Sequence, residues 1–311
     1  MKQFENIGYI FIFLILATGT QAQENSPLYR STDNGESWHA WSEGLAEINR
    51  IDRILADGRM IYLLSEHKGI LRSSDGGQKW VEPGFSLFLP RKIDVLHKFG
   101  SLLFAGSYQE GVFVSADKGN SWVNANKGLT DLTIRAFHSQ KDVIWAGTND
   151  GLFRWDTKRQ SWEQKLKDQQ VNAIVHQEGK LFVATHKGIQ SSTDLGKTWK
   201  VEVDQGTVKQ LYEFQDEIYA CAMTKKVWKY NADTQQWIDV TRQFPTEGYS
   251  TSILYMDKQV TYAAQAKQLY RKTKKQTRWE KVDNGLPTPF TYRDLKMVQP
   301  GVFLLACAKK H

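Results

Sequence analysis

Seven tryptophans recur on a single period. Trp38, Trp80, Trp122, Trp162, Trp199, Trp237 and Trp279 are separated by 42, 42, 40, 37, 38 and 42 residues. A repeat near this length belongs either to four-stranded blades or to helical arrays. The residues ahead of each tryptophan decide between them. Four copies read Ser-x-Asp-x-Gly-x-x-Trp: Ser31 to Trp38, Ser73 to Trp80, Ser115 to Trp122 and Ser192 to Trp199. Short Ser and Asp side chains bond back to nearby backbone and Gly accepts positive φ, so these are tight turns. β-rich runs flank them, such as Val112-Phe113-Val114 before and Trp122-Val123 after, which makes the unit a hairpin.

Each unit also carries two strands upstream. In one copy they are Ile93 to Leu96 and Leu102 to Ala105, and in the next Ile134 to Phe137 and Val143 to Ala146. Four short-linked strands per unit make a propeller blade. The chain opens with only the last two strands of a unit, at Leu28 to Arg30 and from Trp38 onward. It finishes with only the first two, Tyr292 to Val298 and Val302 to Ala308. Together they complete a ring and remove its open edges. The expected fold is all-β: one seven-bladed β-propeller over residues 23–311, with four-stranded antiparallel blades and a last blade closed by the N- and C-terminal strands.

The turn motif resembles the Asp-box, or BNR repeat, of sialidases, two-propeller xyloglucanases, sortilin-type receptors and photosystem assembly propellers. The resemblance extends over essentially all of residues 23–311. Units ending at Trp162, Trp237 and Trp279 depart from it: the first two keep Asp156 and Asp233 but lose the glycine, and the last has Lys272-Thr273-Lys274-Lys275 instead. Tryptophan survives everywhere, as a plug between blades would require. Sialidases have six blades and an Arg-Ile-Pro signature, whereas the nearest approach here is Leu89-Pro90-Arg91-Lys92, so sialidase chemistry is not expected. Asp33, Asp75, Asp117 and Asp194 are accordingly expected to staple turns at the outer rim and not to act as acids or bases.

Residues 1–22 read as a secretory signal peptide. Lys2 supplies the positive start, Ile7 to Ala17 is apolar without interruption, and Thr20-Gln21-Ala22 is a small-residue cleavage site. The run is too short to span a hydrocarbon core of about 30 Å as a helix. A secreted or periplasmic protein without a transmembrane segment is therefore expected. Two cysteines cannot form a disulfide scaffold. Cys221 and Cys307 fall on equivalent second strands two blades apart, beyond the ~7 Å Cα separation a bridge tolerates, and are expected as buried thiols.

The functional face of a propeller surrounds the channel where innermost strands begin. Aligning the first strands gives one polar column: Asp52, Asp94, Arg135, Asn172, Lys209, Ser252 and Arg293, flanked by Arg53 and Asp294. Two residues further along, the column is apolar, as at Ile54 and Leu96. Blade sheets pack on both faces, so one-sided alternation does not account for the polar column. It is expected to ring the channel mouth, either as a charge-paired rim or as a ligand site. Second-to-third strand loops carrying Glu66-His67-Lys68, Tyr108-Gln109-Glu110, Asn149-Asp150 and His186-Lys187 would widen the mouth.

Positive charge concentrates in residues 267–281, where Lys267, Arg271, Lys272, Lys274, Lys275, Arg278 and Lys281 face Glu280 alone. This hairpin is either a lysine-solubilised edge or a patch for an acidic partner. Nucleic acid is not expected for an exported chain whose patch lacks interleaved aromatics. No metal-ligand spacing or glycine-rich phosphate loop is present in the sequence, so no metal or cofactor is expected. The leading expectation is a non-enzymatic propeller binding a protein or glycan at its mouth, as photosystem-assembly and sortilin-type relatives imply. The alternative is a glycoside hydrolase, for which Asp52 with Asp94, or Asp294 with Asp52, would be the carboxylate pair. The oligomeric state and the ligand's identity stay open.

Overall fold

The computed structural model describes residues 26–309 apart from 42, 46, 83–91, 215, 246–250, 266, 283 and 287–289. The leader and the Leu89–Arg91 segment lie outside the described residues. Seven antiparallel sheets follow one another around the ring. Their innermost strands are Ile51–Asp57, Ile93–Phe99, Ile134–Gln140, Val171–Gln177, Val208–Phe214, Thr251–Met256 and Phe290–Gln299, which number blades one to seven. Within the first six sheets, strands pair in chain order from the channel outward. In blade one the fourth strand shrinks to a single bridge between Arg72 and Val81.

The two chain ends build the seventh blade as expected. Leu28–Ser31 pairs with Val302–Lys309, placing Leu28 opposite Ala306 and Ser31 opposite Phe303. His39–Ala40 then forms the outer edge. Second strands are buried along almost their whole length, as in Leu103–Ser107 and Leu181–Thr185. Neighbouring blades cover both their faces, so these strands read as unbroken apolar runs. Some fourth strands are short and exposed, such as Val123–Asn124 and Glu280–Lys281, whereas Ser161–Lys167 of blade three is long and largely covered.

The core divides into seven apolar clusters, one at each junction between consecutive blades. Each holds one of the periodic tryptophans, which reaches back into the preceding blade. Trp38 packs with Tyr262 and Leu269 of blade six, Trp122 with Tyr62 and Ile70 of blade one, and Trp162 with Phe104 and Val112 of blade two. The plug role inferred from persistence of the tryptophan is thereby explained. Hydrogen bonds fix several of the rings: Trp162 Nε1 donates to the Ala125 carbonyl at 2.8 Å and Trp199 Nε1 to that of Lys165 at 2.9 Å. Both cysteines are buried and no disulfide joins them.

Candidate functional site

The Asp-box turns share one geometry. Ser31 Oγ donates to Asp33 Oδ1 at 2.7 Å and accepts from the Gly35 amide at 2.8 Å, while Asp33 Oδ1 accepts from the amides of Glu36 and Ser37 at 3.0 Å. The turns at Asp75, Asp117 and Asp194 repeat this pattern. Gly35 adopts φ +76° and its missing Cβ leaves room for Tyr262 of the neighbouring blade, whose hydroxyl donates to the Asn34 carbonyl at 2.6 Å. Burial alone would raise the Asp33 carboxyl, but bonds from Ser37, Ser31 and Glu36 prevail and hold it at about 2. Ser121 is the main cause of a similar depression to about 2 at Asp117. The carboxylates are thus committed to their turns, with both oxygens bonded at Asp33, Asp117 and Asp194 and Oδ1 at Asp75. A strand that starts at the mouth, returns and leaves again puts the box on the opposite face, remote from the channel opening.

At the mouth, a repeated backbone irregularity sets side-chain direction. Six of the seven first strands shift register at their start: between Ile51 and Arg53, Ile93 and Val95, Ile134 and Ala136, Val171 and Ala173, Val208 and Gln210, and Tyr292 and Asp294. The residue inside each shift is the member of the polar column. A bulge leaves its extra residue outside the ladder and turns its side chain away from the sheet. This is why a polar side chain is tolerated where both sheet faces are packed. In blade six the shift comes later, between Ile253 and Tyr255.

All seven column residues, with Arg53, line one cavity of about 620 Å³. Asp294 does not. It is buried beneath the mouth, where Oδ2 accepts from the Ile54 amide and Oδ1 from the Leu295 amide, each at 2.9 Å. The bulge turns Arg293 toward the opening and the next residue inward, which accounts for the difference. A second tier of lining residues stands two positions before the column: Arg50, Lys92, Thr133, Gln170 and Thr207 immediately precede their strands, and Thr291 lies inside Phe290–Gln299. With the column they form a polar–apolar–polar triplet, as in Arg50-Ile51-Asp52 and Thr133-Ile134-Arg135. That triplet is the signal by which the sequence could have revealed them.

Charge at the mouth is unevenly compensated. Arg50 Nε meets Asp52 at 2.8 Å and its Nη1 meets Glu66 at 3.1 Å, while Arg293 Nε lies 3.7 Å from Asp52. Burial first, then Arg50 and Arg53 nearby, lowers the Arg293 pKa despite Asp52. Burial likewise raises the Asp94 carboxyl, assisted by Asp52 and opposed by Lys92 and Arg135. The Arg135 guanidinium donates to Asn149 Oδ1, and Asn172 links Gln170 at 2.7 Å to the Val208 carbonyl at 2.9 Å. Tyr108, half exposed at 49%, leans into the cavity with the Lys92 ammonium 5.2 Å from its ring centre. Its neighbour Gln109 holds φ +100° and donates its amide to the Leu132 carbonyl at 3.2 Å.

The basic hairpin is less uniform than its sequence. Arg271 turns inward to Glu36 of the shared blade at 3.6 Å, its side chain only 15% exposed. Lys272 and Lys274 border a smaller cavity of about 230 Å³ with Phe244 and Trp279, whereas Lys275 and Arg278 are exposed. His97 and His138 are half-buried, and the loss of solvent lowers both to about 4. His97 Nε2 lies 2.8 Å from Ser139 Oγ, so the ring is part of the packing between blades two and three. Among the described residues no group of three or more His, Cys, Asp or Glu could hold a metal ion.

Comparison with known proteins agrees with this architecture. The DUF6242 beta propeller domain matches residues 134–289, and the BNR/Asp-box repeat matches residues 29–40. No curated protein matches the chain in sequence. Among solved structures, the extracellular domain of a putative hybrid two component system from B. thetaiotaomicron superposes with a TM-score of 0.64 at 13% identity, covering 83% of this chain and 40% of that one. YCF48 bound to D1 peptide gives 0.65 at 11% identity, covering 92% and 96%. The GH74 xyloglucanase from Xanthomonas campestris gives 0.59 at 15%, covering 81% and 46%. The chain therefore spans less than half of the sensor and xyloglucanase chains and nearly all of YCF48. No helix among the described residues is long and apolar enough to cross a membrane.

Proposed function

We propose that this chain, which belongs to the DUF6242 beta propeller domain family, is an exported binding protein that seats a protein or glycan ligand at its channel mouth. The observation that carries the reading is the convergence of bulged polar residues from separate blades on one cavity. A polar residue held in a bulge stands outside its blade's own ladder, and side chains aimed at a shared opening are what a ligand site requires. YCF48, whose structure was obtained bound to a D1 peptide, is coextensive with this chain and lends the reading support. Export rests on the leader at residues 1–22. The test is glycan- and peptide-array binding by wild type and the Arg135→Ala/Arg293→Ala double variant. Loss of signal with an unchanged melting temperature is expected; a double variant that binds like wild type moves the site away from the mouth.

A second reading, glycoside hydrolysis, draws on one observation: Asp94 is raised by burial within reach of the Asp52 charge. Such an offset is how one carboxyl is kept protonated as an acid beside a charged partner. Release of reducing ends that vanishes in Asp94→Asn would establish it in place of the first reading.

A further inference from the structure

We infer that the ligand seated at the mouth is an acidic saccharide, a sugar chain bearing uronate carboxylates that Arg53, Lys92, Arg135 and Lys209 meet. The inference rests on the mouth being the binding site, as proposed above. Among the described residues, six cationic side chains line the cavity against two carboxylates, Asp52 and Asp94. Arg50 and Arg293 share Asp52. Among the described residues the other four cations have no carboxylate within 4.0 Å. Arg293 is held among these cations by burial, with its Nε lacking a hydrogen-bond partner; burial first, and Arg50 and Arg53 after it, disfavour its charge. A cavity with low-dielectric walls and one sign of charge in excess concentrates ligands of the opposite sign.

Three features favour a saccharide over an acidic peptide. The cavity volume falls among the ~300–1,000 Å³ of small-ligand sites. Between the cations stand amide and hydroxyl side chains, Gln170, Asn172, Thr133 and Ser252 among them, which both donate and accept as sugar hydroxyls do. Tyr108 offers an exposed ring, an apolar face with a polar tip, held out by the unusual backbone of Gln109. An extended peptide would instead add to a free strand edge. Here bulges interrupt the innermost strands at the mouth in six blades.

Titration calorimetry of the full chain tests this with three probes: a galacturonic acid trisaccharide, its methyl ester and a poly-glutamate peptide. The acid should bind at least about tenfold tighter than either alternative, a difference of about 1.4 kcal/mol. Its affinity should fall as ionic strength rises from about 0.01 M to about 0.15 M, where the Debye length shortens from about 30 to about 8 Å. Arg135→Ala/Lys209→Ala, both at exposed positions, should lose about tenfold or more without a change in melting temperature. An ester that binds as tightly as the acid, yet weakens in the Arg135→Ala/Arg293→Ala variant, overturns the charge assignment and leaves the mouth as the site. Acid binding unaffected by both double variants overturns the inference and the mouth together. Tighter binding of poly-glutamate, or no binding of the trisaccharide, overturns the saccharide assignment.

Discussion

The Asp294 carboxylate accepts a hydrogen bond from the Ile54 amide at 2.9 Å, joining residues 240 positions apart across the seam where the chain's end meets its first complete blade. Closure of the ring is non-covalent throughout and depends also on strand pairing within blade seven and packing against blade one. Asp294→Ala orphans the Ile54 amide in a buried place and should destabilise the fold by about 1–3 kcal/mol. Asp294→Asn keeps an acceptor oxygen and should cost less. Urea unfolding of the two variants at constant slope checks both values.

The tryptophan plugs are predicted to differ in weight. Trp162 is 3% exposed and touches Phe104, Phe137 and Trp155, so its replacement leaves a large cavity between blades two and three. Trp162→Ala should destabilise by about 3–5 kcal/mol, the usual range for a buried aromatic. Trp279 sits half-buried beside the basic hairpin, and Trp279→Ala should cost clearly less. Thermal and urea melts of the pair decide this.

Acid should weaken the protein through its Asp-boxes. Asp33 and Asp117 are each held at about 2 in the folded state, below their ordinary value of 3.8. A depressed folded pKa means that the stabilisation is complete above the unfolded pKa and disappears as pH falls through the folded one. Stability should therefore drop between about pH 4 and about pH 2. Asp33→Asn/Asp117→Asn should show a shallower dependence in that window, read from urea midpoints. A slope equal to wild type would remove the boxes as its source.

Most of the architecture was legible because it repeats. One tryptophan per 40 residues identifies a blade and its plug, and Ser-x-Asp-x-Gly identifies the turn between third and fourth strands. The mouth was legible in part: the polar column was visible, but its cause in six of the seven blades, a bulge at the strand start, is a pairing register that no single strand displays. Asp294 was assigned to the rim because it adjoins Arg293, and only the bulge separates their directions. Arg271 was counted with the basic patch, yet it is drawn to Glu36 from a segment more than 200 residues away in the chain. Contacts of that kind arise from ring closure and leave no local trace.

Thiol chemistry gives an independent check on the blade order. Cys221 and Cys307 are 2% and 0% exposed, and burial raises the Cys307 thiol above its ordinary value. A buried, protonated thiol is inert toward disulfide reagents. Cys307 should not react with Ellman's reagent in the folded protein, whereas both cysteines should react in denaturant. A non-reducing mass two units light, showing a bridge, would contradict blades five and seven as their places.

Asp52 is where the competing readings of the mouth diverge most. Its carboxylate draws Arg50 to 2.8 Å and Arg293 to 3.7 Å, and its single charge offsets part of what these two cations would otherwise present to a ligand. Asp52→Asn keeps the volume and a hydrogen-bond acceptor while removing the charge, and Arg50 retains Glu66 at 3.1 Å. A carboxylate placed about 8 Å from an anionic ligand opposes it by roughly 0.5 kcal/mol in water-like surroundings and about 2 kcal/mol at a surface dielectric near 20. If the ligand is acidic, the variant should therefore bind it about two- to thirtyfold more tightly. A neutral ligand should bind with little change. If the mouth hydrolyses glycosides with Asp52 as the charged partner of Asp94, turnover should instead collapse while binding persists. Calorimetry with the galacturonic acid trisaccharide and a reducing-end assay on the same preparation separate the three outcomes.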